Sequence, residues 1–199
     1  MPPLSLVPVE EMVARLERVL AGSPADATEL VWIEARRSRE TNREAGGKRQ
    51  DGSGEALERT VMVRVREAGR LGLHRTGLTA LSDIEKAVRE ALAQARLSIR
   101  APEAWLPAGA GDQLPVIPGL YDPEIPRLTA ARAKELIQKT AERGERNETA
   151  RLGWGEGHVA VVNSRGLRRA AEVTAAWLDV SCGQTPGAGS AASIARSLA

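Results

Sequence analysis

Phenylalanine is absent from this 199-residue sequence, tyrosine occurs once, and aromatic residues make up only 3% of it. The core must therefore be filled largely by Val, Leu, Ile and Ala. A single cysteine, Cys182, excludes an internal disulfide and fits a reducing compartment. No stretch approaches the ~18 apolar residues of a membrane helix, and Met1 to Pro8 lack a basic region followed by an apolar run. A soluble cytoplasmic protein with no membrane partner is the expectation. Charge of one sign is also missing: 28 basic residues face 26 acidic ones, for a formal charge of +2. That balance excludes a strongly basic nucleic-acid binder. Only four of the basic residues are lysines, and the arginine skew beside so much alanine reads as codon composition rather than selection for phosphate contacts. What is present is ordinary for a globular protein, 42% hydrophobic and 27% charged, in a chain long enough to bury a real core.

Helix-period and strand-period segments alternate along the chain. Val9, Met12, Val13, Leu16, Val19 and Leu20 recur at helical spacing between Pro8 and Gly22. Leu30 to Ala35 reads as a strand that continues as a polar extension to Thr41. A loop is expected over Gly46, Gly47, Asp51, Gly52, Ser53 and Gly54. Thr60 to Arg66 alternates at period two, Gly69 supplies a turn, and Arg70 to Thr76 returns antiparallel. Ser82-Asp83-Ile84-Glu85 has the form of a capping box, with Ser82 as cap and Glu85 reaching back. Ile84, Val88, Ala91, Leu92 and Ala95 form the stripe that follows. Ala101 to Pro126, with six prolines and no period, predict an extended surface connection. A helix capped by Thr129 should bury Ala133, Leu136, Ile137 and Thr140 and close at Gly144. Gly157 to Val162, the turn Asn163-Ser164-Arg165-Gly166 and Leu167 to Val180 form a last hairpin. The fold class is α+β, with an antiparallel (mixed) sheet of hairpins covered by helices on one face. Residues 1–182 are read as one domain. Residues 183–199 are read as a Gly/Ala/Ser-rich tail that starts a missing C-terminal half, with Ser193 to Leu198 as the first turns of a helix.

Motifs that carry chemistry are scarce. His74, His158 and Cys182 lie far apart in sequence, and neither an H-E-x-x-H nor a C-x-x-C spacing occurs. Each histidine falls within a strand, where a hydrogen-bonded or surface role is favoured over a ligand role. Cys182 reads as a small packed hydrophobe, since no base can be assigned to it. Gly153-Trp154-Gly155-Glu156-Gly157 precedes a Val-rich strand rather than a helix N-terminus, so it is an irregular strand entry and not a phosphate cradle. Arg36, Arg37, Arg39 and Arg43 could meet phosphates. With Glu34, Glu40 and Glu44 interspersed and no aromatic platform beside them, a solvated strand face is favoured. Glu10 with Glu11, and Glu142 with Glu145, belong to exposed helix faces. Trp32, Trp154 and Trp177 read as core or interface residues. No catalytic, cofactor-binding or metal-binding residue is assigned.

The order of segments resembles the N-terminal domain of the TldD/PmbA family, described as metallopeptidases and as modulators of DNA gyrase. The Val61-Met62-Val63-Arg64-Val65 strand with Gly69-Arg70-Leu71-Gly72, the helix from Asp83 to Arg96, Tyr121-Asp122-Pro123, and the turn Asn163 to Gly166 carry the resemblance from about residue 10 to residue 195. Full-length relatives are about twice this length, as expected for two domains. In TldD-type members the zinc-binding H-E-x-x-x-H helix and a later cysteine ligand lie beyond the matching region, and none of these ligands is present here. The resemblance implies a non-catalytic N-terminal module or partner subunit, without zinc of its own, that forms a homo- or hetero-oligomer with a TldD/PmbA-type subunit and meets peptide substrate only in complex. A nucleic-acid-associated regulator resting on Arg36 to Arg43 is the alternative.

Overall fold

The computed structural model describes residues 5–45, 48–80, 82–100, 109–111, 117–141, 148–182 and 189–195, with side chains at these positions except 44, 45, 48, 49, 140, 141, 148, 182 and 189–195. The elements run α1 (Val9–Ala21), β1 (Ala27–Ala45), β2 (Lys48–Glu67), β3 (Arg70–Gly77), α2 (Ser82–Leu97), α3 (Ala130–Ala141), β4 (Glu148–Asn163), β5 (Arg168–Cys182) and β6 (Gly189–Ala195). The strand order is β3-β2-β1-β4-β5-β6. This is the expected α+β class. β2 pairs antiparallel with β3 and β5 with β6. The Ser164 amide donates to the Thr28 carbonyl at 2.9 Å, so β1 and β4 also meet.

The chain forms two compact units, one of Met1–Ala35, Glu58–Ile117 and Gly157–Glu172, the other of Arg36–Leu57, Pro118–Glu156 and Val173–Ala199. The first has the core that the sequence periods announce. Met12, Val13 and Leu16 of α1, and Ile84, Ala87, Val88, Ala91, Leu92 and Ala95 of α2, pack on Leu30, Trp32, Val61, Val63, Val65, Ala160 and Val162. The β2–β3 turn places Ala68 (φ 48°) and Gly69 (φ 73°) consecutively in the left-handed region. That is the two-residue geometry whose twist matches a hairpin.

The second unit has its own core of Ile125, Ala133, Ile137, Ala150, Leu152, Trp154 and Ala176. Thr129 caps α3 as expected, accepting from the Arg132 amide at 3.3 Å; Thr140 and Gly144 lie outside the described side chains. Part of the proline-rich connection is anchored rather than laid over the surface. Ile125 is fully buried, and Asp122 donates its amide to Thr174 Oγ1 at 2.8 Å.

Four local expectations are corrected. Asp51 to Gly54 belong to β2, exposed yet extended; pairing with β1 supplies backbone partners that composition does not show. Gly153 to Gly157 lie inside β4, where a Cβ on Gly153 would meet the Trp177 ring at 2.1 Å and one on Gly155 the Arg36 carbonyl at 2.2 Å. These glycines mark close approach within a strand, not an irregular entry. Residues 193–195 extend β6 instead of starting a helix, because pairing with Leu178, Trp177 and Ala176 of β5 overrides the helical preference of Ala. At α2, the carboxylate that reaches back is Asp83, not Glu85. Its Oδ2 accepts from the Thr79 and Ala80 amides, both at 2.8 Å, and from Thr79 Oγ1 at 2.9 Å.

These bonds hold the Asp83 carboxyl below its ordinary value, the Ala80 and Thr79 amides acting first. A lowered folded-state value gives stability that is fully present above the ordinary aspartate range and lost as pH falls through the lowered value. Asp83→Ala is therefore expected to lower Tm at neutral pH by removing the cap. Thermal melts of the two proteins as a function of pH should converge at the acid end.

Candidate functional site

Alternation along β1 places Thr28, Leu30, Trp32 and Glu34 on the helix-facing side. The core row thus ends in a carboxylate. Glu34 is fully buried (0% exposed), which corrects the expected solvated face at this position. Its Oε1 accepts from Arg59 Nε at 2.7 Å and its Oε2 from the Val7 amide at 3.2 Å. Arg59 also donates through Nη2 to the Ser5 carbonyl at 3.2 Å. Burial without such partners would be prohibitive for a carboxylate, and the paired one locks the segment before α1 onto β1.

His158 completes this polar end. Its Nδ1 lies 2.7 Å from the Val7 carbonyl, and because a carbonyl only accepts, Nδ1 carries the hydrogen. Nε2 then faces Glu172 Oε1 at 3.9 Å, a contact that becomes an ion pair when the ring is protonated. Glu34 has both oxygens engaged and His158 holds a backbone carbonyl, so the cluster positions chain segments. It presents no activated nucleophile.

Beside it lies a cavity of about 270 Å³ lined by Val7, Arg15, Trp32, Arg59, Leu78, Thr79 and Ala80. The Arg15 guanidinium sits over the Trp32 ring, 5.9 Å from its centroid. Trp32 is only 2% exposed, and its indole Nε1 is buried with no hydrogen-bond partner among the described residues. A second cavity of about 330 Å³ lies against Glu29, Val31, Met62, Val63, Arg64, Leu73, His74 and Arg75. Gly72 faces α2, so Leu73, the next residue, points to the opposite face of its strand, where it is 59% exposed.

The histidines do not converge. His74 on β3 is 3.5 Å from Gln94 Nε2, and His158 is on β4, three strand spacings or ~14 Å away across the sheet. Cys182 ends β5, and its side chain lies outside the described residues. Among the described residues no three His, Cys, Asp or Glu side chains gather as metal ligands. Trp32 and Trp154 are core residues as expected. Of the arginine stretch, Arg36 is tied to Glu156 at 2.5 Å, whereas Arg39 and Arg43 are exposed. Glu40 is 2% exposed, again contrary to the expected solvated face. Glu10 and Glu11 are exposed on α1; Glu142 and Glu145 lie outside the described residues. Among the described residues no helix is long and apolar enough to cross a membrane.

The sequence reading missed Glu34, Arg59, Arg15 and Thr79. One signal for Glu34 was available: period two from Leu30 and Trp32 turns it inward. Nothing in the sequence announces that Arg59, on another strand, reaches it.

No protein-family model matches the sequence, and no curated protein matches it. Solved structures do match. A "putative modulator of DNA gyrase" from Bacteroides thetaiotaomicron superposes with a TM-score of 0.73 at 16% identity over 98% of this chain and 46% of that one. TldE from Thermococcus kodakarensis gives 0.63 at 16% identity, over 92% and 43%. A second "putative modulator of a DNA gyrase", from Thermotoga maritima, gives 0.62 at 18% identity, over 94% and 44%. The chain spans less than half the length of each. At these identities the likeness is one of fold, and the conclusion it carries is that this chain has the fold of the gyrase-modulator and TldE structures, as its resemblance to the TldD/PmbA family implies.

Proposed function

We propose that this chain is a non-catalytic module of the TldD/PmbA type, equivalent to the family's N-terminal domain, which works through protein contacts with a second copy or with a longer TldD/PmbA-type subunit. Zinc and peptide cleavage belong to that longer subunit. The observation that carries the reading is the apolar groove on the sheet face opposite the helices. Val31, Met62 and Leu73 line it, and Glu29, Arg64 and Arg75 add charge to it. An exposed apolar patch with polar residues around it is the usual form of a protein interface. Charges of both signs close together suit an isologous contact, in which a patch meets its own copy.

Light scattering on the size-exclusion eluate tests this, alone and with a longer relative. The chain is expected to elute at twice its 21.3 kDa or as a hetero-complex. Leu73→Arg, at an exposed position that folding tolerates, should halve the mass of the dimer or release the partner. The chain should hold no stoichiometric zinc and cleave no unfolded peptide. A monomer under both conditions, or zinc-dependent cleavage by the isolated chain, overturns the proposal. Duplex-DNA binding that falls steeply with added salt would transfer the function to the exposed arginines of β1.

A further inference from the structure

The cavity beside Glu34 has a chemistry that the module reading does not use. Among the described residues, the charged ones that line it are two arginines, and each is already matched by one carboxylate: Arg15 by Glu11 through Nη2, and Arg59 by the buried Glu34 through Nε. A guanidinium has five N–H donors. Among the described residues, Nη1 of both arginines is uncommitted: Arg15 bonds through Nη2, and Arg59 through Nε and Nη2. The Trp32 side chain lines the same cavity.

We propose that this cavity binds a small monocarboxylate with an apolar body. The carboxylate accepts from the free guanidinium donors of Arg15 and Arg59, whose planar forks suit its two oxygens. Val7, Leu78 and the Trp32 ring supply the apolar wall. Volume limits the ligand, because about 270 Å³ lies just under the ~300 Å³ at which small-molecule pockets begin. Charge selects against phosphate. The two arginines are balanced by Glu11 and Glu34, so a dianion brings repulsion that a monoanion largely avoids. Arg15 and Arg59 stay 29% and 36% exposed, which leaves the site open to solutes.

Benzoate is the probe, with inorganic phosphate as the second arm, followed through the indole N–H resonances in ¹⁵N-labelled protein. Four tryptophans give four signals, and Trp32→Phe identifies the relevant one. Benzoate is expected to shift the Trp32 signal saturably, and phosphate at equal concentration to leave it in place. Arg15→Gln, which alters a half-exposed helix position, should weaken benzoate about tenfold, the scale of one lost charge-assisted hydrogen bond. Arg59→Lys keeps a cation beside Glu34 while removing the fork, and should also weaken it. The proposal is overturned by a Trp32 signal that benzoate does not move, by equal binding to Arg15→Gln, or by phosphate binding as tightly as benzoate.

Discussion

Gly72→Ala is expected to destabilise the protein by about 3 kcal/mol, the upper end of what overpacking costs. Gly72 lies on β3 where α2 crosses it, and a Cβ there would sit 1.8 Å from the Ala91 carbonyl oxygen and 2.8 Å from the Ala95 amide. Both obstacles are helix backbone, so no side-chain rotation relieves the clash. The helix has to move. It carries Ile84, Ala87, Val88, Ala91, Leu92 and Ala95 in the first unit's core, and lifting it opens that whole contact. Gly54→Ala is the control, because a Cβ there meets nothing within 4 Å. Chemical unfolding followed by circular dichroism should show a midpoint well below wild type for Gly72→Ala and a shift under about 0.5 kcal/mol for Gly54→Ala, as for ordinary surface changes. Equal stability of the two variants would mean that α2 does not rest on β3 at this point.

Arg59→Ala and Glu34→Ala should differ although they break the same 2.7 Å pair. Removing Arg59 leaves a fully buried carboxylate with the Val7 amide as its remaining partner. An uncompensated buried charge costs about 3 to 5 kcal/mol. Removing Glu34 leaves an arginine that is 36% exposed and can turn to water, so its penalty is about 1 to 2 kcal/mol, mostly from lost packing and the orphaned Val7 amide. The double variant should be more stable than Arg59→Ala alone, since no buried charge then remains. Unfolding free energies of the four proteins form a cycle. The reverse order, Glu34→Ala below Arg59→Ala, would show that Glu34 is solvated.

Much of the first unit could be read from local pattern. The stripe of α2 and the alternation of Val61, Val63 and Val65 each reflect a period imposed by one buried face. The turn at Gly69 was legible because few residues tolerate a positive φ, although Ala68 shares that conformation without announcing it. Composition misled where it stood in for pairing. Asp51 to Gly54 look like a loop, and the Ser/Ala run near residue 193 like a helix, because neither carries a hydrophobic period; both are strands whose backbone groups are satisfied by the preceding strand of the chain.

The three helices, the strands that carry a hydrophobic period, the aliphatic character of the core and the α+β class followed from the sequence, because periodicity is a local property written into consecutive residues. The burial of Glu34 against Arg59, the seating of α2 on Gly72, and the meeting of Arg15, Arg59 and Trp32 around one cavity were decided by the tertiary structure alone. Each joins side chains from different elements, and the distance and desolvation that give such a contact its energy exist only once the strands and helices are packed together.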